Sequence, residues 1–218
     1  MGLKYIIFFR YKFGGTIMAD REGSIYYRNI EYFDFDRACA FLAKEGITLL
    51  NKPNNGKILA LDNIGDDYEI SYFEVKQKAL SGNIFNVNIW LDYQRKSFLT
   101  FRLQDNSFVL DFYLGFLSKK EKDRVSKILM MFFLSEVSSN PQSLLGMFID
   151  KNGATHEYDF APVFLTNSEE VDYVTDLICL PQEKFGLVKM ESGFAKRELD
   201  NGFVCASRYP EFLNYVLS

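Results

Sequence analysis

The sequence predicts an α+β fold in which antiparallel β-meander sheets pack against three or four helices, one of them central and buried. Two patterns support this class. Apolar and polar residues alternate across 86–114 and indicate a three-stranded meander. Ser118 and Glu121 then form a capping box that opens a helix over about 118–136, and the second half of that helix is apolar on every side. Because such a helix has no polar face, we expect it to be buried.

The region before the meander is expected to contain one helix among short strands. Asp34 is a suitable N-cap and Gly46 a suitable terminator, so the helix should cover about 34–45. Residues 17–27 indicate a hairpin with Gly23 at its turn. Turn-forming residues bound the expected strands, which lie at 3–13, 17–19, 24–27, 47–51, 57–62 and 68–77.

Both turns of the meander can be written with a register that keeps one sheet face apolar. With turns at 94–96 and 104–107, the predicted apolar pairs are Leu91–Leu99, Ile89–Phe101, Val87–Leu103, Leu103–Phe108, Phe101–Leu110 and Leu99–Phe112. The same registers give a second face that mixes aromatic and charged residues. Its predicted pairs are Trp90–Thr100, Asn88–Arg102, Asp92–Phe98, Thr100–Asp111 and Phe98–Tyr113.

The region after the central helix is expected to begin with a hairpin over 144–160, which has Asn152 and Gly153 at its turn. Thr166 to Glu169 form a capping box for a helix over about 168–179, and Pro181 prevents its continuation. The remaining elements are strands near 185–191 and 202–207 and a short helix at 210–217.

We expect residues 1–218 to form one compact domain, because no linker or low-complexity stretch divides the chain. Two segments resemble each other: Asp20 to Ser24 and Asp150 to Ala154 both precede an aromatic stretch and a predicted helix. One interpretation is a degenerate duplication, with halves at about 1–114 and 142–218 joined by the helix 118–136. The alternative is that hairpin turns converge on Asp and Gly for local reasons.

Composition and charge narrow the class of protein. Lys and Arg number 25 against 29 Asp and Glu, a net charge of −4, which argues against a nucleic-acid-binding protein. The longest apolar run, 128–134, is far shorter than a membrane span. The three cysteines, Cys39, Cys179 and Cys205, are widely spaced among apolar neighbours, which favours buried free thiols. We therefore expect a cytoplasmic protein with no membrane contact.

The sequence shows no motif of catalysis or of cofactor binding. The single histidine, His156, lies in a predicted strand and excludes histidine-rich metal sites. Asp62, Asp66, Asp67 and Glu69 surround a loop, but their spacing does not match a calcium-binding EF-hand. We therefore expect no cofactor, no metal and no catalytic residue. A chemical role for His156 or for the acidic residues stays open at this point.

Two surfaces are candidates for binding a partner. On the predicted helix 168–179, Glu169, Asp172 and Asp176 form one acidic stripe, which is either a solvated face or a docking surface for a basic partner. The second candidate is the mixed face of the meander. It carries residue types that dominate protein interfaces, unless another segment covers it: Trp90, Asp92, Arg102, Asp111 and Tyr113.

The block 86–136 and the hairpin from Phe148 to Phe160, in an acidic and aromatic-rich chain, resemble the small cytoplasmic immunity proteins of bacterial toxin systems. The resemblance implies direct binding to a cognate toxin domain and inhibition of it. It also implies that the two candidate surfaces form the contact. Immunity proteins of nucleases are usually more acidic, so a net charge of −4 does not favour a nuclease as the target.

Two other classes of function remain as alternatives. The chain could be an enzyme or a small-molecule-binding domain with a pocket beneath the meander, or a homo-oligomeric structural subunit. The sequence does not determine the oligomeric state.

Overall fold

Twelve antiparallel strands form one open sheet in the computed structural model, which describes residues 22–51, 56–92, 95–153, 160–166, 175–189 and 193–217. The α+β class is thereby confirmed. The strands are β1 (Glu22–Tyr27), β2 (Ile47–Thr48), β3 (Leu50–Asn51), β4 (Lys57–Leu61), β5 (Asp67–Ile70), β6 (Phe85–Leu91), β7 (Arg95–Gln104), β8 (Ser107–Tyr113), β9 (Leu144–Asp150), β10 (Leu177–Pro181), β11 (Ala195–Glu198) and β12 (Phe203–Ser207).

The first strand in the described chain lies in the middle of the sheet. The strand order is β11, β12, β10, β9, β1, β8, β7, β6, β4 and β3, with β2 also paired to β6 and β5 to β4. β1 lies between β8 and β9, so strands from both of the proposed halves share one sheet. Whether those halves are pseudo-repeats stays a prediction.

In the described ranges, five α-helices cover the two faces of this sheet: α1 (Phe35–Lys44), α2 (Tyr72–Ala79), α3 (Lys119–Ser139), α4 (Ala161–Leu165) and α5 (Gln182–Phe185). Short 3₁₀ helices lie at Ile30–Tyr32, Pro141–Ser143 and Pro210–Leu217. α1, α2 and α3 pack on one face, which we call the inner face. α4 and α5 pack on the opposite, outer face. No helix among the described residues is both long and apolar enough to cross a membrane.

The helix α3 is the centre of the inner core, as the sequence predicts. The expected capping box is present, since the Ser118 hydroxyl accepts the Glu121 backbone N–H and the Glu121 side chain accepts from Ser118. Met130, Phe132 and Phe133 in its second half are all buried. Each full burial of such a side chain is worth about 1.5–3 kcal/mol, so this helix contributes strongly to holding the fold together.

The outer core covers only part of the outer face. Its buried members come from β1, β8, β9, β10 and β12 and from the segments around α4 and α5, and none of them comes from β6 or β7. The outer face of β6 and β7 is therefore left outside the hydrophobic core that the described residues form.

The predicted meander is present, but one of its two registers is wrong. β7 and β8 pair as predicted, with Leu103 opposite Phe108 and Leu99 opposite Phe112. β6 and β7 pair Val87 with Leu99, four residues away from the predicted register. Arg95 and Lys96 belong to the strand rather than to the turn. Because the displacement is an even number of residues, each side chain still faces the predicted side.

Two elements before the meander differ from the prediction. Residues 68–77 contain β5 and then α2 in place of one long strand. The helix begins at a capping box formed by Ser71 and Glu74, a signal that the sequence interpretation missed. Gly23 lies inside β1 rather than at a turn. A Cβ atom there would stand 2.6 Å from Cδ1 of Leu129, so this glycine lets α3 approach the sheet.

The elements after α3 differ more from the prediction than those before the meander. The predicted helix over 168–179 is wrong for its last residues, because Leu177–Pro181 forms β10 and is buried between β9 and β12. Of the predicted strand 185–191, Phe185 belongs to α5. β9 matches the first arm of the predicted hairpin, but Phe160 precedes α4 and is not in a strand. Residues 154–159, the rest of the predicted second arm, lie outside the described residues, as do residues 3–13 and 17–19.

Two of the three cysteines are not free thiols. Cys179 on β10 and Cys205 on β12 are directly opposite each other and form a disulfide. Only Cys39 on α1 is free, and burial raises its pKa to about 12. The expectation of three buried free thiols is therefore wrong for the cross-strand pair, whose proximity arises from strand pairing and not from a spacing visible in the sequence.

Candidate partner-binding surface

The outer face of the meander carries a row of polar and aromatic side chains along β7. Lys96, Phe98, Thr100, Arg102 and Gln104 alternate with residues that point to the inner face. Their neighbours on this face are Trp90, Asn88 and Asn86 of β6 and Tyr113 and Asp111 of β8. The pleat thus brings together four of the five residues that the sequence nominated for the meander face, although in partly different pairs.

Three aromatic rings form a cluster at one end of this face, which we call the aromatic platform: Phe98, Tyr113 and Phe116. The ring centroids are 6.0 Å apart for Phe98 and Tyr113, 5.7 Å for Phe98 and Phe116, and 5.1 Å for Tyr113 and Phe116. Both contacts of Phe116 are edge-to-face, which is a favourable geometry for aromatic pairs. Phe116 keeps 49% of its surface exposed, so the cluster presents an apolar face to solvent.

Gly115 permits this arrangement. A Cβ atom at that position would overlap the Tyr113 ring, so the ring folds back over the chain between β8 and α3. Sequence reasoning nominated Tyr113 but missed Phe116, which lies beyond the strand and is brought alongside by this turn. The available signal was the aromatic residue next to a glycine at the end of a strand.

A polar cluster lies beside the platform. Arg102 donates to Asp111 at 2.6 Å, and the same carboxylate accepts the Ser24 hydroxyl at 2.7 Å. Gln104 accepts a further hydrogen bond from Arg102. Burial opposes the charge of Arg102, but the adjacent Asp111 carboxylate raises the pKa of the guanidinium above its usual value. This charge pair is therefore fixed in place and still reaches the surface.

The other side of the platform is bordered by a second charge pair. Lys96 donates to Asp67 of β5 at 2.6 Å, and its ammonium lies 5.5 Å from the centroid of the Phe98 ring. Asp67 also accepts from Asn88 at 2.7 Å. Trp90 lies opposite Lys96, and its indole nitrogen is buried with no hydrogen-bond partner among the described residues. Lys96 and Asp67 were not nominated, because the sequence placed them in a turn and in a loop.

Asp92 does not belong to this face. It follows β6 with a left-handed φ of 48° and lies beside α3, where Arg124 binds it. Arg124 also donates to the backbone oxygen of Glu45 at 2.8 Å. The hydrogen bond from Arg124 lowers the pKa of Asp92. The predicted pairing of Asp92 with Phe98 is wrong, and the carboxylate instead links the meander to α3 and to the end of α1.

Asp176 does not belong to an exposed acidic stripe. It is 4% exposed and precedes β10, where its carboxylate accepts the Lys151 N–H at 2.6 Å and the Asn152 side-chain amide at 2.6 Å. Burial raises its pKa above the usual value for aspartate. Glu169 and Asp172, the other members of the proposed stripe, lie outside the described residues, as does His156.

In the described part of the chain, no group of three or more His, Cys, Asp or Glu residues is placed to hold a metal ion. No protein-family model matches the sequence, and no curated protein or solved structure is significantly similar to it.

Proposed function

We propose that the chain is a protein-binding inhibitor of the immunity type, which neutralises a cognate bacterial toxin by direct binding through the outer face of the meander. The observation that carries this proposal is the aromatic platform, an apolar cluster on the rim of a sheet face and bordered by two charge pairs. The immunity class itself rests on the resemblance of the block 86–136 and of the segment from Phe148 to Phe160, in an acidic and aromatic-rich chain, to such proteins.

The composition of the platform supports a protein partner. Aromatic residues and arginine provide most of the binding energy at protein interfaces, and a polar rim around them provides specificity. Phe116 supplies the exposed apolar surface, while Arg102 and Lys96 supply the flanking charges. Each of the two cations is already paired with a carboxylate, so the face has both signs of charge. Such a face suits a partner with an apolar recess and mixed charges better than a uniformly basic cleft.

The rigidity of the site also supports binding. Phe98 and Tyr113 belong to neighbouring strands, and Arg102 is held by three hydrogen-bonding contacts to Asp111 and Gln104. Side chains that are already fixed lose little conformational entropy on association, so more of the contact energy appears as affinity.

The compartment remains part of the proposal. The expected cytoplasmic location rests on cysteines interpreted as free thiols, on short apolar runs and on the resemblance, whereas a buried disulfide between Cys179 and Cys205 is typical of an oxidising compartment. An inhibitor that meets its toxin in the periplasm or at the cell surface would agree with both the platform and the disulfide.

The test compares two variants that remove a similar exposed ring. Phe116→Ala truncates the platform, and Phe73→Ala truncates a ring on α2 that is 65% exposed and serves as the matched control. Affinity capture from the native host identifies the partner, and calorimetry then gives the dissociation constant for each variant. We expect Phe116→Ala to weaken binding by about tenfold or more and Phe73→Ala by less than about twofold.

Two results would contradict this proposal. A captured toxin that binds Phe116→Ala and Arg102→Gln as tightly as it binds the wild type would exclude the outer face of the meander as the contact surface. Capture of no protein partner by the wild type would exclude the function itself. A homo-oligomeric subunit would instead show a native mass that is a multiple of 25.3 kDa and that changes with Phe116→Ala.

A further inference from the structure

A cavity of about 570 Å³ lies on the outer face, at the end of β8 opposite the aromatic platform. Ser107, at the start of β8, lines it, as do Arg28 and three leucines from separate segments. Glu183 and Lys184 of α5 complete the wall. Its volume falls within the range of pockets that hold small organic ligands.

Lys184 is a buried cation that forms no ion pair with any of the described residues. Only 9% of its surface is exposed, and its ammonium donates to the backbone oxygens of Phe164 at 2.5 Å and Thr166 at 3.2 Å. Both acceptors are neutral, and no carboxylate of the described residues forms an ion pair with it. Because buried charges are normally paired, this ammonium is incompletely compensated. One of its three N–H groups is also left for a further acceptor.

Arg28 places a second cation at the same cavity. Its backbone N–H donates to Ser143 at 2.8 Å, and its Nε donates to the backbone oxygen of Gln142 at 2.8 Å. The first bond holds the backbone and the second holds the side chain, while the terminal guanidinium nitrogens bind no partner in the described ranges. Burial lowers the pKa of Lys184, and the positive charge of Arg28 adds to that effect, whereas the Glu183 carboxylate opposes it.

We propose that this cavity binds a small organic anion, a carboxylate or a phosphate with a short apolar body, whose charge lies between Lys184 and Arg28. An anion there would supply the missing counter-charge and would accept from both the ammonium and the guanidinium. Leu145, Leu165 and Leu187 provide the apolar wall for the body of the ligand. Glu183 disfavours the anion, so its charge limits the affinity.

This site is separate from the partner-binding surface. Ser107 and Tyr113 stand at the two ends of β8, about 20 Å apart for a strand of this length. Loss of one function therefore need not affect the other, and the two proposals can fail independently.

The binding test uses hexanoate and phenyl phosphate as probes, with 1-hexanol as the uncharged control and isothermal titration calorimetry as the measurement. We expect saturable binding of at least one anion, one molecule per chain, and much weaker binding of 1-hexanol. The anion that binds more tightly identifies the preferred head group. Absence of saturable binding by both anions at about 10 mM, well above a millimolar dissociation constant, would overturn the proposal.

Charge variants locate the site. Lys184→Met should weaken anion binding by about tenfold or more, whereas Lys120→Met, at an exposed lysine in the first turn of α3, should leave it unchanged. Arg28→Gln should weaken binding and Glu183→Gln should tighten it, each by about threefold. The opposite signs of these two changes at the surface keep the test decisive even where Lys184→Met does not fold. Equal affinity in Arg28→Gln, Glu183→Gln and the wild type would refute the assignment.

Discussion

Replacement of Asp176 should destabilise the fold because this residue is a buried acceptor. Its carboxylate accepts three hydrogen bonds, from the Lys151 N–H at 2.6 Å, the Asn152 N–H at 3.2 Å and the Asn152 side-chain amide at 2.6 Å. Asp176→Ala leaves the Lys151 N–H without a partner. Asn152 then keeps only its longer bonds, from the backbone N–H to Asp150 at 3.2 Å and from the side-chain amide to Tyr209 at 3.4 Å. An unsatisfied buried donor costs about 1–3 kcal/mol, and these donors are partly buried, so we expect a loss of about 3 kcal/mol.

Urea denaturation followed by circular dichroism measures this loss. With a slope of about 2–3 kcal/mol per molar, the unfolding midpoint of Asp176→Ala should fall by roughly 1–1.5 M without a change in slope. Asp176→Asn is the matched control, because its amide oxygen can still accept from the backbone and the Asn152 amide can turn. It should cost about 1 kcal/mol or less. A midpoint for Asp176→Ala equal to that of the wild type would show that the carboxylate is not a structural acceptor.

The pH dependence gives an independent check. Because burial raises the pKa of Asp176, the folded state holds its proton more tightly than the unfolded state. The stability of the wild type relative to Asp176→Asn should therefore be greatest below the unfolded pKa. It should decrease as the pH rises from about 4 through the folded pKa, and then stay constant. An increase in the relative stability over that pH range would show that burial does not raise the pKa of Asp176.

Two further changes test the packing of the outer core and the link between β10 and β12. Gly146→Ala should lower the free energy of unfolding, measured by urea denaturation, by more than about 3 kcal/mol, because φ is 144° there and the new methyl group would stand 2.7 Å from the Phe164 ring. Gly186→Ala is the control. It has open space around it and should change the free energy of unfolding by less than about 0.5 kcal/mol. Reduction of the disulfide between Cys179 and Cys205, which are 26 residues apart, should lower the free energy of unfolding by about 3.5 kcal/mol. Mass spectrometry of the intact, unreduced protein tests the pairing itself, because a disulfide removes two hydrogens from the mass. A mass without that loss would contradict the pairing.

Local signals explain what the sequence could predict. The turn between β7 and β8 consists of Asp105 and Asn106, both with positive φ, and these residue types favour that conformation. The predicted register of β7 and β8 is therefore correct. The predicted turn between β6 and β7, at 94–96, contains no comparable residue pair. The sequence therefore places Arg95 and Lys96 in that turn, whereas both belong to β7. Alternation in each strand still fixed which side chains face outwards.

Long-range packing explains what the sequence could not predict. Leu177 to Leu180 is a continuous apolar run, which suits a helix or a fully buried strand equally well. Only its position between β9 and β12 decides for the strand. The same holds for the disulfide and for the anion cavity, whose lining comes from segments far apart in the chain.

The candidate partner-binding surface contains residues that local signals predict and residues that only long-range packing determines. Arg102 and Asp111 were each nominated on the correct face, but the sequence paired Arg102 with Asn88 across the wrong register. In the structure Arg102 stands opposite Val109 and reaches diagonally to Asp111. Phe116 was not nominated, since its contact with the strands depends on the backbone path after β8.

The central position of β1 has a consequence for how the chain assembles. Ser24 bonds to Asp111 across 87 residues, and the other edge of β1 pairs with β9, which is made later still. During synthesis the strand therefore leaves the ribosome long before either neighbour exists, and the sheet can close only after α3 and β9 have emerged. Such distant pairing slows folding, so we expect nascent chains that end before β9 to need chaperone protection against aggregation.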